Sequence, residues 1–93
     1  MNTIELFNKK SHFATRLVGE ELILVPLTDR IADMNELFTL NEVGSFIWDN
    51  IDGKNNEEDI ANAIVDNFEV DIDIARKDVA AFIQKLSEMI ANC

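Results

Sequence analysis

Apolar positions alternate in three short runs between residues 13 and 40 and recur at helical spacing after them. Residues 13–18 alternate, with Phe13, Thr15 and Leu17 on one side and Ala14, Arg16 and Val18 on the other. Residues 21–25 follow after Gly19-Glu20, and a glycine in the first of two turn positions suits a type II′ hairpin. The pattern thus predicts two antiparallel strands, the second closed by Pro26, which has no N–H for a ladder. Residues 36–40 form a short third strand, with Phe38 and Leu40 on one face and Glu36 on the same side near its end. At Asn41 the period changes. Val43, Phe46, Ile47 and Ile51 recur at helical spacing, so a strand hands directly over to a helix.

Two caps compete at that junction. Asn41 offers a side-chain oxygen to the first free amides, and Thr39 with Glu42 is a rival capping box. Gly53 supplies the stop. A second helix is predicted over residues 57–68, capped by Asn55 or Asn56, with Glu57, Glu58 and Asp59 at the positive end of its dipole. Its buried stripe is Ile60, Ala61, Ile64, Val65 and Phe68. A third helix starts after Asp71 and runs to Met89 or Ile90, with Ala75, Val79, Phe82, Ile83, Leu86 and Ile90 at spacings of three and four. Residues 27–35 admit two readings: one helical turn capped by Thr28 or Asp29 with Ile31 and Met34 inward, or an ordered loop. Residues 1–12 lack a period and read as a flexible N-terminal arm whose Ile4, Leu6 and Phe7 are free to dock. The chain is then one α+β domain over residues 13–93, a three-stranded antiparallel sheet followed by three helices.

Length and charge narrow the function. The 93 residues support one modest core, and the hydrophobic fraction of 47% is that of a folded protein. Eighteen acids against eight bases give a net charge of -10, a surface that repels phosphate backbones. Ten of those acids lie between Asp49 and Asp78, opposed there by Lys54, Arg76 and Lys77. The start has no signal-peptide core and no run reaches membrane-spanning length, so no membrane partner and a cytoplasmic location are expected. Cys93 is the only cysteine and reads as an inert thiol.

Catalytic constellations are missing. His12 has no serine or cysteine that spacing would set against it. Gly19, Gly44 and Gly53 are too scattered for a phosphate loop. Asp71 and Asp73 invite comparison with a calcium loop, but Arg76 stands where that loop needs glycine. No enzyme, no metal and no cofactor are expected. A helix-turn-helix reading is better founded, since the second and third helices are joined by a short link and strands accompany them, as in winged-helix domains. Yet the probe helix would open on Asp71, Ile72, Asp73 and Ile74, and two acids facing phosphates cost affinity.

The remaining opportunity is the third strand. One of its edges need not be paired within the domain, and an unpaired edge accepts an added strand. A helix beside that edge would complete a cleft for an extended peptide. Glu36 instead protects the edge if it is merely short. Ile74, Lys77, Asp78, Ala81 and Lys85 form a second face of the third helix, which is either a solvated face or the wall of that cleft.

Several of these residues carry a family resemblance. The run Phe38-Thr39-Leu40-Asn41-Glu42-Val43-Gly44, then Ile47-Trp48, Asp52-Gly53 and Glu57-Glu58-Asp59-Ile60, resembles the PqqD family, proteins similar to the pyrroloquinoline-quinone biosynthesis protein D. Phe68-Glu69-Val70-Asp71, Ala75, Asp78-Val79, Phe82 and Leu86 continue it, so residues 13–92 are covered. The resemblance implies a winged-helix-like domain. It also implies a non-catalytic recognition element that binds the leader of a ribosomally made precursor peptide and presents it to a modifying enzyme of radical, cyclase or protease type. The leader would add beside the third strand and lie against the third helix. Carried over by position, Leu37, Phe38, Thr39 and Leu40 form the strand side. Ile74, Lys77, Asp78, Ala81 and Lys85 form the helix side. Phe38 and Leu40 would contribute mainly main-chain bonds. The acidic surface makes Lys77 and Lys85 local exceptions, and apolar Ile74 would serve a hydrophobic leader anchor or a second copy in a homodimer. The competing expectations are a winged-helix transcriptional regulator and a self-associating structural module.

Overall fold

The computed structural model describes residues 3–28, 31–32 and 38–91. The expected hairpin is present: β1 (Phe13–Val18) pairs antiparallel with β2 (Glu21–Thr28), from Val18 opposite Glu21 to Phe13 opposite Pro26. Gly19 takes φ +64° at the first turn position. Along its other edge β2 pairs with β4 (Phe38–Leu40) through Leu22–Leu40, Ile23–Thr39 and Leu24–Phe38. Farther along that edge, β3 (Ile31–Ala32) pairs with Leu27 and Thr28. The sheet is three strands wide, with β3 and β4 sharing the third position.

Pro26 does not close β2. An antiparallel ladder alternates bonded and non-bonded pairs. Counting from Val18–Glu21, which closes a two-residue turn, Phe13–Pro26 is non-bonded, so the missing N–H of Pro26 faces away from β1. It falls between the last β4 pair at Leu24 and the first β3 pair at Leu27, where no ladder bond is lost. The strand therefore continues to Thr28. After it, Ile31 and Ala32 form β3 in place of a helical turn, while Met34, Glu36 and Leu37 lie outside the described residues.

Three helices follow. In α2 (Glu42–Asn50) Asn41 wins the capping competition, its Oδ1 accepting from Gly44 N at 2.8 Å. In α3 (Glu57–Asn67) Asn56 Oδ1 accepts from Asp59 N, and Asp59 returns a carboxylate to Asn56 N, a reciprocal box. The last is α4 (Ile72–Ala91). Ile47, Ile51, Ile60, Ile64, Val79 and Leu86 are buried against Leu24 and Leu40 of the sheet. Val65, assigned by spacing to the α3 stripe, is exposed, and Phe68 is half-buried against Phe46 with ring centroids 5.4 Å apart.

The N-terminal segment is where expectation and structure differ most. In place of a loose arm the chain forms α1 (Thr3–Lys9) and a 3-10 turn (Lys10–His12), and Leu6 is only 2% exposed within the core. Short helices are marginal alone, so its stability comes from docking. Thr3 Oγ1 donates to Asn55 O at 2.6 Å. Lys10 Nζ donates to Trp48 O and Ile51 O, at 2.9 and 3.1 Å, and lies 4.5 Å from the Trp48 ring centroid. That ammonium is a donor to Ile51 O and shares Trp48 O with the Ile51 N–H, both carbonyls at the negative end of α2, and its burial lowers the Lys10 pKa. Gly53 is needed for the same reason: its φ is +84°, and a Cβ there would sit 2.9 Å from the Phe7 ring.

Candidate peptide groove

Register decides which main-chain groups are free. Glu21, Ile23 and Val25 of β2 bond toward β1, so the peptide groups of Leu22 and Leu24 turn toward β4. Their partners Leu40 and Phe38 are thereby bonded within the sheet. Thr39, between them, directs its N–H and C=O away from β2. Among the described residues no strand pairs with that outer edge. The main-chain bonds assigned to Phe38 and Leu40 from the sequence are therefore spent inside the domain. Thr39 carries the free pair.

Beside this edge lies an open groove of about 410 Å³. Phe38, Thr39 and Leu40 form its strand side, and Asp78, Ala81, Phe82 and Lys85 of α4 form its opposite wall. Asn41, Val43, Gly44 and Ile47 close it at the junction of β4 and α2. Leu40 is buried, as expected for a core-facing side chain. Phe38 is half-buried: its ring packs on Phe82 at 5.7 Å, and Lys85 Nζ lies 6.0 Å from its centroid. The groove thus has an aromatic floor, a small residue midway along its helix wall, and a charge toward each end.

Of the nine residues singled out from the sequence, six line this groove: Phe38, Thr39, Leu40, Asp78, Ala81 and Lys85. Leu37 lies outside the described residues. Ile74 and Lys77 are exposed on α4 but do not border the groove. Ile74 shares the helical face of Asp78 and Ala81 one turn earlier. A three-residue strand spans only about 10 Å, and it does not reach that turn. Lys77 is rotated from Asp78 by about 100°. Val43, Ile47 and Phe82 were taken as core residues; a groove between strand and helix exposes one flank of such side chains, and apolar spacing alone does not reveal that.

Arg76, the first basic residue a DNA-reading helix would offer, is engaged elsewhere. Arg76 donates from Nη2 to Glu58 Oε1 at 2.7 Å and from Nε to Glu58 Oε2 at 3.1 Å, with Asp73 at 3.6 Å. The hydrogen bond from Arg76 lowers the Glu58 pKa. In the loop before α3, the amides of Lys54 and Asn55 hold the Asp52 carboxyl below its usual range. Among the described residues no group of three or more His, Cys, Asp or Glu is placed to hold a metal. No described helix is long and apolar enough to cross a membrane.

Comparison with known proteins agrees with this geometry. The family model described as coenzyme PQQ synthesis protein D (PqqD) matches residues 14–89. A solved structure described as TbiB1 in complex with the TbiA(beta) leader peptide is similar in fold. Its TM-score is 0.65 and its identity 25%, over 83% of this chain and 84% of that one. No curated protein sequence matches the chain.

Proposed function

This chain belongs to the PqqD family, and on that premise we propose that it is a leader-peptide recognition element, a binding adaptor in the modification of a ribosomally made precursor peptide. The observation that carries the reading is the outward-facing peptide unit of Thr39 beside the groove walled by α4. A guest backbone added there gains main-chain bonds, which fix it in place. Selectivity falls to the side chains of the wall and floor. The complex of the structural relative with a leader peptide supports the same use of the fold.

Within this proposal the guest is held extended between β4 and α4, by Phe38, Thr39, Leu40, Asp78, Ala81 and Lys85. Its exposed far end is handed to a separate modifying enzyme, and the domain contributes no reacting group. Leu37, Ile74 and Lys77 belong to the proposed site only if the guest extends beyond β4.

The test is an amide-shift titration with the leader of a short precursor encoded beside this gene. Shifts concentrated at residues 38–41 and 78–85 are expected. A saturating titration that leaves those amides unmoved would contradict the proposal.

A further inference from the structure

The groove's two charges carry more information than its shape. Asp78 and Lys85 lie on one face of α4, seven residues or about 10.5 Å apart along the axis, with the small Ala81 between them. Among the described residues neither is in an ion pair, whereas neighbouring Arg76 has two acidic partners. A lysine held over an aromatic floor is notable on a chain of net charge -10. Resting on the proposed function, we infer that the groove selects a bipolar guest strand: a basic side chain, then an acidic one about two or four residues later in the chain.

Order and spacing both follow from the geometry. Phe38 packs on Phe82 and lies beneath Lys85, so the start of β4 faces the later part of the groove wall. The lining then passes Leu40 and Asn41 toward Val43 on one side and reaches Asp78 on the other. Strand and helix therefore run in opposite directions. Every pairing in the sheet is antiparallel, and a guest that continues the pattern enters at the Asp78 end and leaves at the Lys85 end. Its basic group meets Asp78 first and its acidic group meets Lys85 later. Successive side chains of a strand point to opposite faces, so only even separations place both groups against α4. Two residues span about 7 Å and four about 13 Å, which bracket the separation of the two wall charges.

Both wall residues are solvent-exposed, so the charges set preference more than affinity. Reversing both should change the affinity ratio of matched and reversed peptides by about tenfold, each exposed pair contributing modestly. The experiment is selection from an mRNA-displayed random peptide library on the wild-type protein, on Ala81→Arg and on the double variant Asp78→Lys/Lys85→Glu. Enriched peptides are then resynthesised and titrated. The expected result is a set of Ala81-dependent peptides with the basic residue first and the acid at an even offset, and the opposite order on the double variant. Ala81-dependent peptides without a charge order, with odd offsets, or with one order on both proteins overturn the inference and leave groove binding intact. An acid-first order on the wild type also overturns it, since the guest would then run parallel to β4. Enrichment that Ala81→Arg does not affect removes the proposed function and this inference together.

Discussion

The sheet has two outer edges, and they differ in what lies beside them. Along β1 every residue after Phe13 is exposed, Leu17 to 70%, and the strand projects as a hairpin. By the same alternation that frees Thr39, the N–H of Thr15 points away from β2. Among the described residues, both edges therefore offer free peptide groups. Among those residues, only the β4 edge is flanked by a helix that adds an apolar floor, a small residue for close approach and two charges outside any ion pair. An open edge supplies main-chain bonds to any strand; the wall turns it into a site.

The largest expected effect breaks that wall. Ala81→Arg fills the groove from an exposed helix position and should weaken guest binding at least about thirtyfold, ~2 kcal/mol, with the thermal midpoint unchanged. Isothermal titration and a melt on the same sample check both halves. Next comes a matched pair of proline substitutions, each deleting an outward N–H at an edge where proline is tolerated. Thr39→Pro should cost about tenfold in guest affinity, one main-chain bond. Thr15→Pro should leave affinity unchanged, and equal losses would show that the two edges are not distinct.

Stability should respond in the opposite way. Lys10→Met removes the side-chain donor to Ile51 O and the second donor to Trp48 O and should lower unfolding free energy by about 1–2 kcal/mol in urea titrations, with guest affinity unaltered. The smallest effect concerns Glu58. Its folded pKa is lowered, chiefly by the hydrogen bond from Arg76. It therefore stabilises the fold above the ordinary glutamate range, and that contribution is lost as pH falls through the depressed folded value. Glu58→Gln should lower the melting temperature slightly at pH 7 and lose this difference in strong acid, as melts across pH would show.

Much of this architecture is legible in the sequence because it rests on local signals. The Asn41 and Asn56 caps, the Gly19 turn and the 3.6-residue stripe of α4 each act over a few residues. What escaped depends on partners distant in sequence. The helix α1 has too few residues to show a period and is held by Asn55, while the 3-10 turn after it is held by Trp48 and Ile51. The strand β3 is two residues long. Spacing placed Ile74 and Lys77 on the same wall as Asp78, but the shortness of β4 and the rotation of α4 leave them outside it. The family resemblance, carried over by position, attributed the main-chain bonds to Phe38 and Leu40. Only the pairing of β4 with β2 transfers that role to Thr39.

Hydrogen exchange of the Thr39 amide, with and without a guest peptide whose binding requires Ala81, tests the open edge most directly. Rapid exchange in the free protein and strong protection in the complex, with residues 13–18 unchanged, is the expected result. A Thr39 amide already protected in the free monomer, or protection on binding that appears along residues 13–18 instead, would contradict it.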